Sequence, residues 1–255
     1  AGSKAITKQL TLPSDIAEKD LEGQVQIEMI QHIPHPIEDI NLDFQVEADK
    51  EASEMQKLTV VATKSENVDS CVVALERGGL IPKIVDVELF ALENAVSLAS
   101  QINGDEKLDK VLGIVDMGSS STKFSVIEAG SIVYSKEQNF GGKQLLNEIQ
   151  RNYGLSYEEA RIGLAESSLE EGFEEKLVRP FVESASQEIE RSLQLFYSSN
   201  NVARIDHILL TGGCASLKGL VEIVSSTSDA PAELMEPFKQ ITLSKAFNKD
   251  KFLRD

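Results

Sequence analysis

Asp116, Gly118, Ser119, Ser120, Thr122 and Lys123 crowd into VDMGSSSTKF (115–124), a polar loop between two apolar runs. These residue types at this spacing can cradle a phosphate. Glycine lets a backbone approach an anion closely or take positive φ. The serines and threonine offer hydroxyl and backbone N–H donors, and successive N–H groups in a tight turn make an anion-binding concavity. A carboxylate such as Asp116, at the end of an apolar strand, can hold a hydrated Mg²⁺ that bridges phosphate oxygens. The loop is not a Walker A motif, which needs a second glycine before Lys-Ser/Thr and a helix after it. Here Lys123 leads into Phe124 and Val126, a strand pattern. Taken alone, the same residues also describe an ordinary hairpin with a serine-rich turn and a solvent-facing aspartate.

A second candidate is HILLTGGCASLKGL (207–220). A strand, a Gly-Gly turn and a helix in succession would bring N–H groups and a helix N-terminus to the strand's C-terminal edge, where α/β folds bind ligands. Gly212 and Gly213 would let a flat base or a phosphate lie against the main chain; a plain tight turn is the alternative. Gly141-Gly142 is a weaker signal, read most simply as the turn into a helix. His32, His35 and His207 have no metal-ligand spacing and read as structural or surface groups, which speaks against zinc catalysis.

Elements must position these loops. Residues 5–12 alternate as a strand ended by Pro13, and Asp15 with Glu18 has the spacing of a capping box. Leu21, Val25, Met29 and Ile33 then form one buried helical stripe, stopped by Pro34 and Pro36. Strands at 40–48 and 57–63 follow. Ser65 can cap a helix whose apolar set is Val68, Cys71, Val72 and Leu75, closed by Gly78-Gly79. Residues 1–80 thus read strand, helix, strand, strand, helix. A short strand at 81–86 precedes a helix with Leu89, Leu92, Val96 and Ala99 on one face, and NGDEKLD (103–109) reads as a boundary turn. After the quoted hairpin come a strand at 131–138, a helix at about 143–153, and a helix opened by Ser156 with Glu159 at capping-box spacing. A long helix covers about 174–198 with Phe181, Ala185, Ile189, Ser192 and Phe196 along one side. A strand at 204–210 and a last helix follow. Alternating strands and helices predict a mostly parallel sheet covered by helices.

At 255 residues, with 41% apolar and 26% charged residues, the chain can bury a normal core. A net charge of −17 and a pI near 4.6 argue against nucleic acid or an anionic membrane surface as partner, and favour a basic partner segment. Cys71 and Cys214 lie far apart, which fits a reducing compartment. No apolar run approaches the ~20 residues of a membrane span, so no direct membrane insertion is expected.

Together the motifs say more than any one alone. Asp-x-Gly-Ser-Ser-Ser-Thr-Lys on a hairpin, then Gly-Gly, a long helix and Leu-Leu-x-Gly-Gly, in this order, resembles the actin/Hsp70/sugar-kinase ATPase superfamily. The resemblance makes Asp116 to Thr122 the second phosphate loop, with Asp116 placing Mg²⁺ through water. It adds Gly141 and Gly142 to the nucleotide site. It makes Leu209 to Leu217, with Gly212, Gly213 and Ser216, the adenosine motif, and puts Glu188 and Arg191 of EIERSLQ (188–194) beside the adenine.

Within that superfamily the chain is most similar to the PilM family of type IV pilus assembly. The likeness is carried by QIEMIQHIPHPIEDINLDFQV (26–46), VVALERGGLIPKIVDVELFALENA (72–95), FGGKQLLNEIQRNYGLSYEEA (140–160) and RIDHILLTGGCASLKGLVE (204–222). It implies an α/β, actin-like ATPase fold, truncated: 1–82 an FtsA-like 1C (SHS2-type) α+β subdomain, 83–110 a remnant of subdomain 1A with a connecting helix, and 111–255 actin-like domain 2. It implies no catalytic residues but a cytoplasmic scaffold that binds ATP or ADP with Mg²⁺. The scaffold would bind the N-terminal cytoplasmic tail of PilN, serve the pilus motor ATPases, and sit peripheral to the bacterial inner membrane through its partners. An active actin-like ATPase or sugar-kinase-type phosphotransferase is the alternative, but no general base is identifiable; an FtsA-like filament former is a third. The family's first phosphate loop does not precede Ala5, its closing helix does not follow FNKDKFLRD, AGS reads as an addition, and Lys218 replaces a usual proline. The resemblance therefore implies half a nucleotide cleft, weak or absent nucleotide binding, a doubtful PilN groove, and an open apolar edge that permits swapping or self-association.

Overall fold

The computed structural model describes residues 5–46, 54–102, 110–199 and 204–237, and the chain divides into two units, residues 1–91 and 92–255. In the first, β1 (Ala5–Pro13) and β2 (Ile40–Val46) each pair antiparallel with the central β3 (Met55–Lys64). Alternation puts Leu10 and Leu12 of β1 beside Leu58, Val60 and Ala62 of β3. The helix α1 (Glu18–Ile30) covers that face with Leu21, Val25 and Met29, and Ile33 extends the stripe beyond the helix end, as its fourfold spacing predicts. α2 (Ser65–Arg77) completes the predicted order of strand, helix, strand, strand, helix.

Two caps differ from expectation. Asp15 and Glu18 form no capping box: the N-cap is Ala17, with no side-chain bond. The Ser14 N–H still bonds across the sheet to the Glu54 carbonyl at 2.9 Å, so Asp15 and Ile16 are spent turning the chain back. Ser65 is likewise the first residue of α2 rather than its cap, which is Lys64. No residue of α2 is buried, although Val68, Cys71, Val72 and Leu75 share a stripe. The reason is the sheet: α1 takes its one apolar face, and the opposite face presents rungs such as Gln9–Thr59–Gln45. The C-terminus of α2 matches expectation. Gly79 takes φ +76°, its N–H bonds to the Glu76 carbonyl, and the Leu80 N–H bonds to that of Leu75. The expected strand at 81–86 is irregular and pairs with nothing among the described residues.

The second unit holds a five-stranded sheet of β4 (Leu112–Met117), β5 (Thr122–Glu128), β6 (Ser131–Gln138), β7 (His207–Thr211) and β8 (Ala232–Leu234), in the order β6-β5-β4-β7-β8. It is mixed rather than mostly parallel. β4, β7 and β8 run parallel, while β4–β5 and β5–β6 are antiparallel. The connections at 118–121 and 129–130 are too short for a crossover, and Ala129 and Gly130, at φ 50° and 80°, make the left-handed turn that a two-residue hairpin favours.

One sheet face carries Val115, Met117, Phe124, Val126, Ile208 and Leu210. It packs under α4 (Gly142–Tyr153), α6 (Arg179–Ser199) and α7 (Leu220–Thr227). The other face, with Leu112, Ile114, Ile127 and Leu209, meets Val96 and Leu92 of α3 (Glu88–Ile102). Phe181, Ala185, Ile189, Ser192 and Phe196 are buried as the α6 periodicity predicts, but a π turn at Glu174–Val178 interrupts the expected continuous helix. β7 begins at His207, not Arg204. The boundary turn 103–109, the end of the 40–48 strand, the Ala99 side chain, AGS and FNKDKFLRD lie outside the described residues.

α5 (Tyr157–Ala165) has the predicted cap: the Glu159 N–H donates to Ser156 Oγ at 3.3 Å, and the Ser156 N–H donates to Glu159 Oε2 at 2.8 Å. Ser156→Ala should lower stability by about 1 kcal/mol in urea titration. Hydrogen bonds from the Ser156 hydroxyl and backbone hold the Glu159 carboxyl below its ordinary value. A depressed carboxylate pKa stabilises the fold above the unfolded pKa, and that contribution is lost as pH falls through the folded value. The deficit of the variant should therefore shrink in acid.

Candidate functional site

The strand register brings the three glycine-bearing segments together. Asp116 lies opposite Lys123 and Met117 opposite Thr122, so residues 118–121 form the hairpin loop, closed by Gly118 N–H to the Ser121 carbonyl at 2.9 Å. β7 runs parallel to β4 with Thr211 beside Asp116, so the Gly212-Gly213 turn leaves the sheet next to that carboxylate. β6 ends at Gln138 opposite Thr122, and the chain then runs into Gly141, Gly142 and α4.

Backbone hydrogen bonds lock the junction. The Gly142 N–H donates to the Gly118 carbonyl at 3.1 Å, and the Lys143 N–H to the Ser119 carbonyl at 2.7 Å. The Cys214 N–H donates to the Met117 carbonyl at 3.2 Å, and the Thr122 hydroxyl to the Phe140 carbonyl at 2.7 Å. The fit leaves no room for side chains. A Cβ on Gly141 would lie 2.6 Å from the Ser119 carbonyl oxygen, and one on Gly142 would strike Cys214 Sγ. Gly212 takes φ +89°, and its Cβ would lie 2.5 Å from Asp116 Oδ1. Burial pushes the Cys214 thiol pKa up, partly offset by a hydrogen bond from the Gly142 backbone, so this side chain packs as a neutral group.

This arrangement assigns different work to the candidate residues. The first amides of α4 are spent on the loop carbonyls, so Gly142 and Lys143 hold the loop in place while Gly141 packs directly against it. Thr122 is buried with its proton committed to Phe140. Every peptide here is trans, and in a trans peptide the N–H points opposite to the C=O. Because the Gly118 and Ser119 carbonyls face α4, the N–H groups of Ser119 and Ser120 face the other way, on the side where both serines are exposed. Two such donors side by side suit an anion. Gly212, Gly213 and Ser216 are also exposed, and a Cβ on Gly213 would meet nothing within 4 Å.

The expected helix N-terminus behind the glycines is absent. Successive turns, with Ala215 N–H to Gly212, Leu217 N–H to Cys214 and Leu220 N–H to Leu217, carry the chain to α7, which starts only at Leu220 after Gly219 at φ +85°. Lys218 ties this turn to the π turn by an ion pair with Glu174 at 2.7 Å. Glu188 and Arg191 pair with each other on α6 at 3.0 Å. The Gln138 side chain donates to the Glu188 carbonyl at 3.3 Å and contacts the Ser192 hydroxyl, anchoring that helical turn at the strand end opposite Thr122. Sequence reasoning missed Gln138 and Cys214 as parts of the junction; only the register and the close glycine packing reveal them.

Asp116, Lys123 and Glu137 line up on one face across β4, β5 and β6, with Lys123 only 8% exposed. Glu137 also accepts the Ser121 hydroxyl proton at 2.6 Å. Among the described residues no cluster of three carboxylate, histidine or cysteine side chains could enclose a metal. A single carboxylate beside a phosphate loop does fit Mg²⁺, which keeps most of its waters and takes one carboxylate plus phosphate oxygens.

A family model described as type IV pilus assembly protein PilM matches residues 1–255. Among solved structures, a PilM–PilN type IV pilus biogenesis complex is 25% identical, with 97% of this chain and 71% of that chain covered, at a TM-score of 0.74. The ethanolamine utilization protein EutJ from Carboxydothermus hydrogenoformans is 23% identical over 66% of this chain and 56% of its own, at 0.46. The archaeal actin homolog Ta0583, in complex with ADP, is 14% identical over 64% and 55%, at 0.48. The mixed sheet with its helices is an actin-like ATPase fold. Matched over its whole length, the chain belongs to the type IV pilus assembly PilM family.

Proposed function

We propose that this chain is a nucleotide-binding, actin-like scaffold of type IV pilus assembly that takes the N-terminal cytoplasmic tail of PilN and so links the inner-membrane platform to the pilus machinery, including its motor ATPases. Its likeness to the PilM–PilN complex over 97% of the chain carries this reading. The net charge of −17 suits a tail containing basic residues. No helix among the described residues is long and apolar enough to cross a membrane, in keeping with a peripheral position held through PilN. A PilN tail peptide titrated calorimetrically should give saturable heat, and no heat at millimolar peptide would remove the scaffold reading.

In the same reading, Ser119 and Ser120 N–H groups take phosphate oxygens of ATP or ADP, and Gly213 lies against the nucleoside. Glu188 and Arg191 flank the base, and Asp116 holds Mg²⁺ through water. The ion would neutralise phosphate charge. Around the loop Asp116 lies opposite Lys123 and Glu137 accepts the Ser121 hydroxyl proton, so of the described residues neither of these carboxylates is placed as an unengaged base for an attacking group. That favours a scaffold over a phosphotransferase. A fluorescent ADP analogue with Mg²⁺ should bind weakly but saturably. Gly213→Val should weaken it about tenfold, or ~1.4 kcal/mol, with the urea midpoint unchanged, because the space around Gly213 is open. Unchanged affinity would move the nucleoside off this turn.

A further inference from the structure

Lys123 is almost wholly buried beside the phosphate loop. It is 8% exposed on β5, with Asp116 opposite it on β4 and Glu137 opposite it on β6. Directly opposed residues point to the same face of a sheet, with Cβ atoms about 5 Å apart. The next rung repeats the arrangement, since the Ser125 and Ser135 hydroxyls meet at 3.1 Å. Side chains alternate along a strand, and Val115, Met117 and Phe124 pack on the α4 side. Asp116 and Lys123 therefore lie on the opposite side. The Ser119 and Ser120 N–H groups also point away from α4, so the lysine and the two amides share one side of the sheet edge. Both flanking carboxylates reach the site. Glu137 Oε1 accepts the Ser121 hydroxyl proton at 2.6 Å, and Asp116 Oδ1 lies 2.5 Å from where a Cβ on Gly212 would stand. Asp116 and Lys123 are each engaged in polar interactions.

Carboxylate, ammonium and carboxylate sum to a single negative charge. Buried charges are costly unless paired, and one lysine between two carboxylates serves all three. Mg²⁺ gives up water reluctantly and is held by carboxylate oxygens together with substrate phosphates. With Lys123 beside it, Asp116 offers a lone divalent ion little attraction. A phosphate on the Ser119 and Ser120 amides adds the missing negative charge. We propose that Lys123 is a tethered counter-ion that keeps divalent metal out of the loop until phosphate is present, so that this site takes Mg²⁺ only together with a nucleotide. The proposal rests on the nucleotide reading above and adds what controls the metal. Flanked by two carboxylates, Lys123 sets the charge of the site rather than gripping the phosphate itself.

Metal titrations without nucleotide test this. In the wild type, Mg²⁺ or Mn²⁺ should move the thermal midpoint no more than NaCl of equal ionic strength, the control for screening of the net charge of −17. Lys123→Met keeps the apolar stem and removes the charge. It should lower the midpoint in NaCl, because two carboxylates then lie close without their cation, and metal should restore it. By calorimetry Mn²⁺ should bind this variant about tenfold more tightly than the wild type, since affinity follows the charge of the ligand set. Lys123→Gln, neutral but able to donate hydrogen bonds, is the second variant should Lys123→Met fail to fold. Adding Asp116→Asn to either should abolish the gain. Three results would overturn the proposal: Mn²⁺ binding to the wild type as tightly as to the variants; no gain in either Lys123 variant; or a gain that survives Asp116→Asn, which would put the metal elsewhere. Failure of the fluorescent ADP analogue to bind the wild type would instead remove the nucleotide reading, and the nucleotide-free titrations would still decide whether Lys123 excludes metal.

Discussion

Gly141→Ala should unfold at a markedly lower urea concentration than the wild-type chain, a loss of about 2–4 kcal/mol. Its Cβ would lie 2.6 Å from the Ser119 carbonyl oxygen, 2.7 Å from that of Gly118 and 2.8 Å from the Ser119 carbonyl carbon. These are backbone atoms, so no rotamer change can relieve the overlap, and α4 or the 118–121 loop must shift. Gly141 sits at φ −170°, which any residue adopts, so the effect is crowding and not backbone strain. The shift should break the bonds from Gly142 N–H to Gly118 and from Lys143 N–H to Ser119. Hydrogen exchange at those two amides should change from slow to fast. Gly213→Ala is the matched control and should keep the wild-type midpoint, because the same atom there meets open space. A wild-type midpoint and slow exchange in Gly141→Ala would show that the junction is far softer than its geometry indicates.

Phe196→Ala should be the most damaging of the core truncations in the second unit, by about 3–5 kcal/mol. Its ring is fully buried, edge-on to Phe124 with centroids 6.4 Å apart and tilted against Tyr134 at 5.2 Å and Tyr197 at 5.4 Å. Removing it opens a cavity that joins β5, β6 and α6. Phe196→Leu, which keeps more of the volume, should lose clearly less. Thermal or urea unfolding followed by far-UV circular dichroism would rank the pair, and equal losses would argue that the cavity collapses.

The hairpin was legible because a continuous apolar run is broken at Asp116 and a strand pattern begins again at Thr122 with Lys123 and Phe124. The α6 stripe was legible for the same reason, since Phe181 to Phe196 keep one helical face. Local patterns failed where the decision was made by distant partners. Ser156 and Glu159 form their capping box, but Asp15 and Glu18, with the same spacing, do not, because Ser14 is held by Glu54 across the sheet. The apolar stripe of α2 predicted a buried face, yet burial needs a second apolar surface, and β1 and β3 had already given theirs to α1. The Gly-Gly turn was found, but the eight-residue path to α7 was not, since each of its turns is closed by a bond only three residues long. The identity of the site residues could be read; their division into those that hold the loop and those that face outward could not. That division depends on which carbonyl meets α4.

The bonds from α4 to the loop also have an electrical side. A helix N-terminus carries roughly half a positive charge, and α4 does not spend it on an anion directly. Its first amides polarise the Gly118 and Ser119 carbonyls, and a peptide group polarised at its oxygen becomes a stronger donor at its nitrogen. The two peptide units thus act as a relay, passing the field of a twelve-residue helix through to the opposite side of the loop. An anion at Ser119 and Ser120 would feel α4 without touching it, and disturbing the helix entry would weaken the cradle even if every serine stayed in place.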